Sequence, residues 1–390
     1  MATVMDYLRW RGDLRFSQDP FNDVDALVLA MLSYLPFDDI ISGDGATGFI
    51  TIQEAAGRLP ARNQPGKKEP AVTEPAVHPA TYEDLLELIG EAAQSVRFAD
   101  IQLSRFERKT DFTLGEQFAA LTYHLPDAKR RKVIAFRGTD NTLIGWKEDF
   151  EMAYMQQIPA QESARGYLKG GMDIFSGGIT VCGHSKGGNL AVYAASRLNW
   201  LERWKVSRII NFDGPGFDFS LASSVPFSKC APKVVNYVPE ESIVGMLLEP
   251  VCDRHVIASG AHGISQHDAL NWEVQGREFI HGELSTPTLL LEETLKSWLA
   301  QISIEKRKVF IEALFDILGA SEGKTTDPME HIRDISKIVK DFSQLDEGTK
   351  NLLAEVFSAF TNQARSTISR ALKEKLAKEK KDGREVALQV

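Results

Sequence analysis

The pentapeptide Gly183-His-Ser-Lys-Gly187 joins a nucleophile to the spacing that can expose it. A serine becomes reactive when a sharp turn projects its Oγ away from the backbone, and glycines two residues to either side let the flanking chains close up. The flanks supply the expected elements. Ile179, Val181 and Cys182 form a short apolar run fit for a strand buried on both faces. Leu190, Ala191, Ala194, Ala195 and Leu198 then mark one face at helical spacing. A helix that begins at the serine offers unpaired N–H groups, and its positive dipole end, to a developing oxyanion. The chemistry implied is acyl transfer through Ser185.

Serine needs an imidazole base and a carboxylate that orients it. Acids at downstream strand ends are Asp213, in Ile210-Asn-Phe-Asp-Gly-Pro215, and Glu240 and Glu241, in Pro239-Glu-Glu-Ser-Ile-Val244. The downstream histidines are His255, His262, His267 and His281. His255 lies in an apolar run, and His281 comes at the end of the strand-rich part. His262 and His267 sit in a polar loop after a strand, Ala261-His-Gly-Ile-Ser-Gln-His-Asp-Ala-Leu-Asn-Trp272, where a base belongs. Upstream, Val133-Ile-Ala-Phe-Arg-Gly-Thr139 runs from a strand into a polar turn that can aim a backbone N–H or the Thr139 hydroxyl at an oxyanion.

The elements around these residues read as α/β with a largely parallel sheet. Asn22 or Asp23 caps a helix that buries Leu27, Val28, Met31 and Leu32, and another helix follows Thr81. Residues 60–79, with five prolines, form a surface loop. Strands are expected over 112–123, 132–136, 206–212, 233–238 and 254–258. After about residue 284 only helical periodicity remains, over 289–299, 304–318, 329–342 and 352–376, with Asp327-Pro328 as a start signal. The lysine-rich segment 373–381 reads as a solvated helix end. Two units follow: residues 1–285 around the serine and a helical accessory region over 286–390.

Composition narrows the class. Of 390 residues, 43% are hydrophobic and 25% charged, as in ordinary globular proteins, and a net charge of −9 argues against general nucleic-acid binding. The first 25 residues carry charges throughout, and no stretch reaches the roughly 20 apolar residues of a membrane span. Cys182, Cys230 and Cys252 lack metal-ligand spacing and read as free thiols, so a cytoplasmic location is expected.

The ordered set Ala135-Phe-Arg-Gly-Thr139, Gly145-Trp-Lys-Glu-Asp149 and Gly183-His-Ser-Lys-Gly187 resembles class 3 lipases, the fungal-lipase-like α/β-hydrolases. Tyr7-Leu-Arg-Trp-Arg-Gly-Asp-Leu14, Asn22-Asp-Val-Asp25 and Pro239-Glu-Glu-Ser-Ile-Val-Gly245 more specifically resemble an uncharacterised bacterial family in that neighbourhood. The likeness covers roughly residues 5–285. It implies the α/β-hydrolase fold, Ser185 as nucleophile, His267 as base and Glu241 as triad acid. It also implies an oxyanion hole from Thr139 and the Lys186 N–H, with Trp146 (in the lipase lid loop) and His184 beside the substrate. Two departures stand out: glutamate where those lipases carry aspartate, and Lys186 where many carry an apolar residue. The expected activity is hydrolysis of a small-molecule or lipid acyl ester, without metal or organic cofactor. An acyl-thioesterase or lysophospholipase fits the same triad. A non-catalytic scaffold, self-associating through the C-terminal helices, is the rival from another class. Transient contact with a membrane surface is compatible with either.

Overall fold

Asn22, Thr51, Thr81 and Asn199 each turn a side-chain oxygen onto backbone N–H groups of the next turn, and a helix starts at each. The structure, a computed structural model, describes residues 1–41, 48–59, 80–111, 113–126, 131–139, 143–172, 178–317 and 346–387. Within its helices the side chains of 143–146, 314–317, 357 and 374–387 are outside the description. The helices are α1 (Val4–Arg11), α2 (Asp23–Leu32), α3 (Ile52–Ala56), α4 (Tyr82–Gln94), α5 (Leu143–Glu151), α6 (Pro159–Gly170), α7 (Lys186–Ser196), α8 (Trp200–Lys205), α9 (Phe219–Ala222), α10 (Val225–Cys230), α11 (Thr286–Gln301), α12 (Ile304–Ile317) and α13 (Glu347–Ala387). The strands are β1 (Ile50–Thr51), β2 (Gln102–Asp111), β3 (Glu116–His124), β4 (Lys132–Phe136), β5 (Ile179–His184), β6 (Val206–Phe212), β7 (Val234–Pro239) and β8 (Arg254–Ile257), with a short hairpin β9 (Val274–Gln275) and β10 (Glu278–Phe279).

Strands β1 to β8 form one sheet whose spatial order is their chain order. The first three pairings are antiparallel, and those from β4 to β8 are parallel. The expected mostly parallel α/β sheet with C-terminal helices is what the chain builds. Every parallel crossover steps the same way, so right-handed connections stack their helices on one face. Side-chain alternation shows the two faces. Ile134, Phe136, Ile179 and Val181 pack with α6, α7 and α10. Val133, Ala135, Cys182, Ile210 and Phe212 face the N-terminal helices α1, α2 and α4. Cys182 is thus a buried core thiol, and burial pushes its pKa up.

The N-terminal motif residues hold this second layer together. Asp25 is wholly buried and paired with Arg97 at 2.6 Å; the Tyr7 hydroxyl donates to Asp25 at 2.8 Å, and the Asn22 amide donates to Tyr7 at 2.9 Å. The expected strand from residue 112 begins instead at Glu116. Asp111 accepts the N–H groups of Thr113 and Leu114, and Gly115 has φ 67°, so these residues turn between β2 and β3. Phe112, the proline-rich 60–79 and the helix expected over 329–342 lie outside the described residues.

The C-terminal helices dock on the sheet layer. Glu292 of α11 pairs with Arg254 of β8 at 2.8 Å, and Lys296 pairs with Glu249 at 3.0 Å. Arg307 of α12 donates to the carbonyls of Leu299 and Ile302 at the end of α11, and to Ala153 O beyond α5. That cation meets orphan carbonyls at a helix C-terminus, where the dipole favours it. Among the described residues no helix is long and apolar enough to cross a membrane.

Candidate active site

In a parallel sheet the strand C-termini open onto a common crevice, and four strand ends here converge on one place. Thr139 follows β4, Ser185 follows β5, Asp213 follows β6 and His267 lies in the loop beyond β8. Ser185 sits at φ 56°, ψ −134°, a strained conformation at the first position before α7. Its N–H is held by Phe212 O at 2.9 Å, and its hydroxyl does not cap α7 as an N-terminal serine usually would. The two flanking glycines are needed for close approach. A Cβ on Gly183 would run into the backbone of Gly187, and one on Gly187 into the backbone of Phe136 and Arg137.

His267 Nδ1 lies 2.7 Å from Asp213 Oδ2. A carboxylate only accepts, so Nδ1 carries the proton and Nε2 is left as the basic atom. Asp213 is wholly buried, and its other oxygen accepts the Ser242 hydroxyl at 2.5 Å and the Gly245 N–H at 3.2 Å. Its backbone is also in the left-handed region, at φ 51°. The imidazole's partner is therefore Asp213, and the expectation for Glu241 is corrected. Glu241 accepts the Gly263 N–H, and its own N–H donates to Gln266 Oε1 at 2.7 Å, so it braces the loop that carries the histidine. His262 is exposed.

His184 does not reach the substrate space. It is fully buried on the N-terminal-helix face, with Nε2 donating to His267 O at 2.8 Å and Nδ1 at 3.1 Å from the Tyr34 hydroxyl. Its ring lies 4.6 Å from that of His267. Burial, with His267 alongside, holds its pKa well below the usual histidine range, so it stays neutral. It supports His267 from behind. Trp146 belongs to α5, but its side chain is outside the described residues.

Lys186 is the feature that sequence reasoning left unplaced. Its side chain is wholly buried, with Nζ donating to Gln117 O at 3.0 Å, Gln117 Oε1 at 2.9 Å and Glu148 Oε2 at 2.8 Å. Glu148, equally buried, also accepts the N–H groups of Gln117 and Ala160. Asp149 follows, with Oδ2 accepting the Thr139 hydroxyl and Oδ1 3.8 Å from Lys186 Nζ. Burial raises the Asp149 pKa to about 6, against the opposing pull of Lys186 and the Thr139 hydrogen bond.

Thr139, Asp149, Ser185, Lys186 and His267 line one cavity of about 580 Å³. The rest of its wall is almost wholly apolar and comes from Phe150, Met152, Ala153, Pro215, Ile243, Val244, Leu247, Leu248, Ile264 and the C-terminal helices. A separate, more polar cleft of about 750 Å³, between Asp23, Arg208 and Phe279, holds none of the expected site residues.

The Mbeg1-like family model matches residues 92–316, more than half of the chain, and the chain belongs to that family. The crystal structure of M37 lipase is similar over 57% of this chain and 67% of that one, at 19% identity and a TM-score of 0.32. Among curated proteins no match is found.

Proposed function

We propose that this member of the Mbeg1-like family is a serine hydrolase that cleaves acyl esters through Ser185, His267 and Asp213. The observation that carries the reading is the Asp213–His267 hydrogen bond at 2.7 Å, made by a histidine that lines one cavity with the strained Ser185. Ser185 Oγ attacks the ester carbonyl while His267 Nε2 takes its proton. Asp213 holds the imidazole with Nδ1 protonated and stabilises the imidazolium that forms. The oxyanion is met by the N–H of Lys186, in the first turn of α7, and by the Thr139 N–H. The Thr139 hydroxyl donates to Asp149, so it is not available to the oxyanion while Asp149 is ionised. The imidazolium then protonates the leaving alcohol, and water, deprotonated by the same nitrogen, releases the acid.

An apolar cavity wall around these groups favours an apolar acyl portion. The test is stoichiometric labelling by a fluorophosphonate, read by intact mass, on the wild type, Ser185→Ala and His267→Ala. Labelling of the wild type that is lost in both variants supports the reading. A folded wild type that stays unlabelled, in detergent as well as in buffer, refutes it.

A further inference from the structure

The wall of the cavity at Ser185 is of two kinds. Five of its polar lining residues, Thr139, Asp149, Ser185, Lys186 and His267, belong to the reacting centre. An apolar part of the wall is built by the C-terminal helices, with Leu291, Leu295, Trp298 and Leu299 of α11, Phe310 and Ile311 of α12, and Val356 of α13. The one charged group there, Arg307, spends its guanidinium on three backbone carbonyls. An apolar space continuous with a nucleophile suits the chain of an acyl group and has nothing to offer a polar one.

Trp298 stands where the three helices meet. Its indole N–H donates to Val356 O at 3.2 Å, and its ring lies edge-on to Phe310 and to Phe360. Phe360 is not part of the cavity wall, so the indole separates the cavity from the packing behind it. The ion pairs Glu292–Arg254 and Lys296–Glu249, with the Arg307 contacts, hold this wall to the sheet layer.

We propose that helices α11 to α13 are the acyl-binding wall of the site, and that Trp298 closes its far end and sets the longest acyl chain accepted. This rests on the hydrolase reading for turnover, but not for binding. The cavity-lining residues of α11, α12 and α13 then act in substrate selection and not as a self-association surface.

The experiment uses the full chain and reads binding and turnover separately. In Ser185→Ala, which cannot turn over, a dansyl-labelled undecanoic acid is bound and then displaced by laurate. Leu295→Trp added to this variant fills the cavity and is expected to weaken laurate binding about tenfold or more. In the catalytically intact chain, p-nitrophenyl butyrate, octanoate, laurate and palmitate are compared by kcat/KM. Trp298→Ala is expected to move the preferred ester towards longer chains, and Leu295→Trp towards shorter ones. An unchanged chain-length profile in both variants, each melting cooperatively, overturns the proposal, as does failure of the Ser185→Ala protein to bind the fatty acid. Binding without turnover or fluorophosphonate labelling removes the hydrolase reading and leaves the acyl-binding wall standing.

Discussion

Replacing Asp213 by asparagine separates the acid that lies beside His267 from the one that the family resemblance favours. Asp213 Oδ1 accepts from Ser242 Oγ and from the Gly245 N–H, and Oδ2 faces His267 Nδ1. Asparagine keeps an oxygen for the first two donors, so its NH₂ must face the imidazole. Nδ1 then has to accept, the proton moves to Nε2, and Nε2 can no longer take the serine proton. The substitution leaves shape and burial nearly intact and removes the tautomer together with the charge that stabilises the imidazolium. In a serine protease triad the same change costs about 10⁴ in kcat, or about 5.4 kcal/mol, and a loss of that order is expected here. Glu241→Gln can still accept the Gly263 N–H, and its effect should stay within about twofold, as for a surface change. The assay is kcat/KM on p-nitrophenyl butyrate, with fluorophosphonate labelling rate and urea melts alongside. A Glu241→Gln loss equal to that of Asp213→Asn would refute the assignment. So would an Asp213→Asn enzyme that keeps more than about a tenth of wild-type activity.

Lys186→Met leaves Glu148 charged and buried without its cation, and it should lower stability in urea melts by about 3–5 kcal/mol. Lys186→Met combined with Glu148→Gln, which removes the charge and keeps an oxygen for a backbone N–H, should recover part of that, whereas a single-variant loss below about 1 kcal/mol would show the pair to be solvated. Asp149 binds a proton on folding between its unfolded value of 3.8 and its folded value of about 6, so ionisation costs stability as pH rises through that window. Its side chain is 27% exposed, which screens part of the penalty, and above pH 6 the cost is about 1–3 kcal/mol. Asp149→Asn should therefore gain on the wild type by about 1 kcal/mol more at pH 8 than at pH 5, and a flat or reversed difference in paired melts would contradict the raised pKa.

Much of this site is legible in local sequence because local rules build it. The β5–turn–α7 unit follows from its apolar run and the two glycines of Gly183-His-Ser-Lys-Gly187, and the strands over 206–212 and 254–257 lie where their apolar runs predict. Asp213 also carries a signal: an acid directly after an apolar strand and before Gly214-Pro215, where a left-handed residue fits. The likeness to a family acid just before Ser242 outweighs that signal when the sequence is read alone. His184 reads as a substrate contact only because it is next to the nucleophile. Strand alternation puts it on the face of Cys182, two residues earlier, towards α2 and Tyr34. No local pattern could pair Lys186 with Glu148, since those residues meet only after α5 folds back over β3.

That buried pair raises the question of what it supplies. Glu148 satisfies two buried backbone N–H groups, but a neutral acceptor there and an apolar side chain at 186 would do so without desolvating two charges, so stability alone gives little reason for the ion pair. What charges add is direction. Nζ is fixed by three oxygens and the Glu148 carboxylate by two backbone N–H groups besides Lys186, which ties the first residue of α7 to β3, α5 and the start of α6. The next residue of α5, Asp149, accepts the hydroxyl of Thr139. The two proposed oxyanion donors thus come from segments far apart in sequence and cross-linked by one buried network. Oxyanion stabilisation depends on donors that hold their distance before charge develops, and a small displacement of either donor would erode it. We read the network as a positioning device for the oxyanion hole, retained at some cost to stability because it fixes the relation between the Lys186 and Thr139 N–H groups.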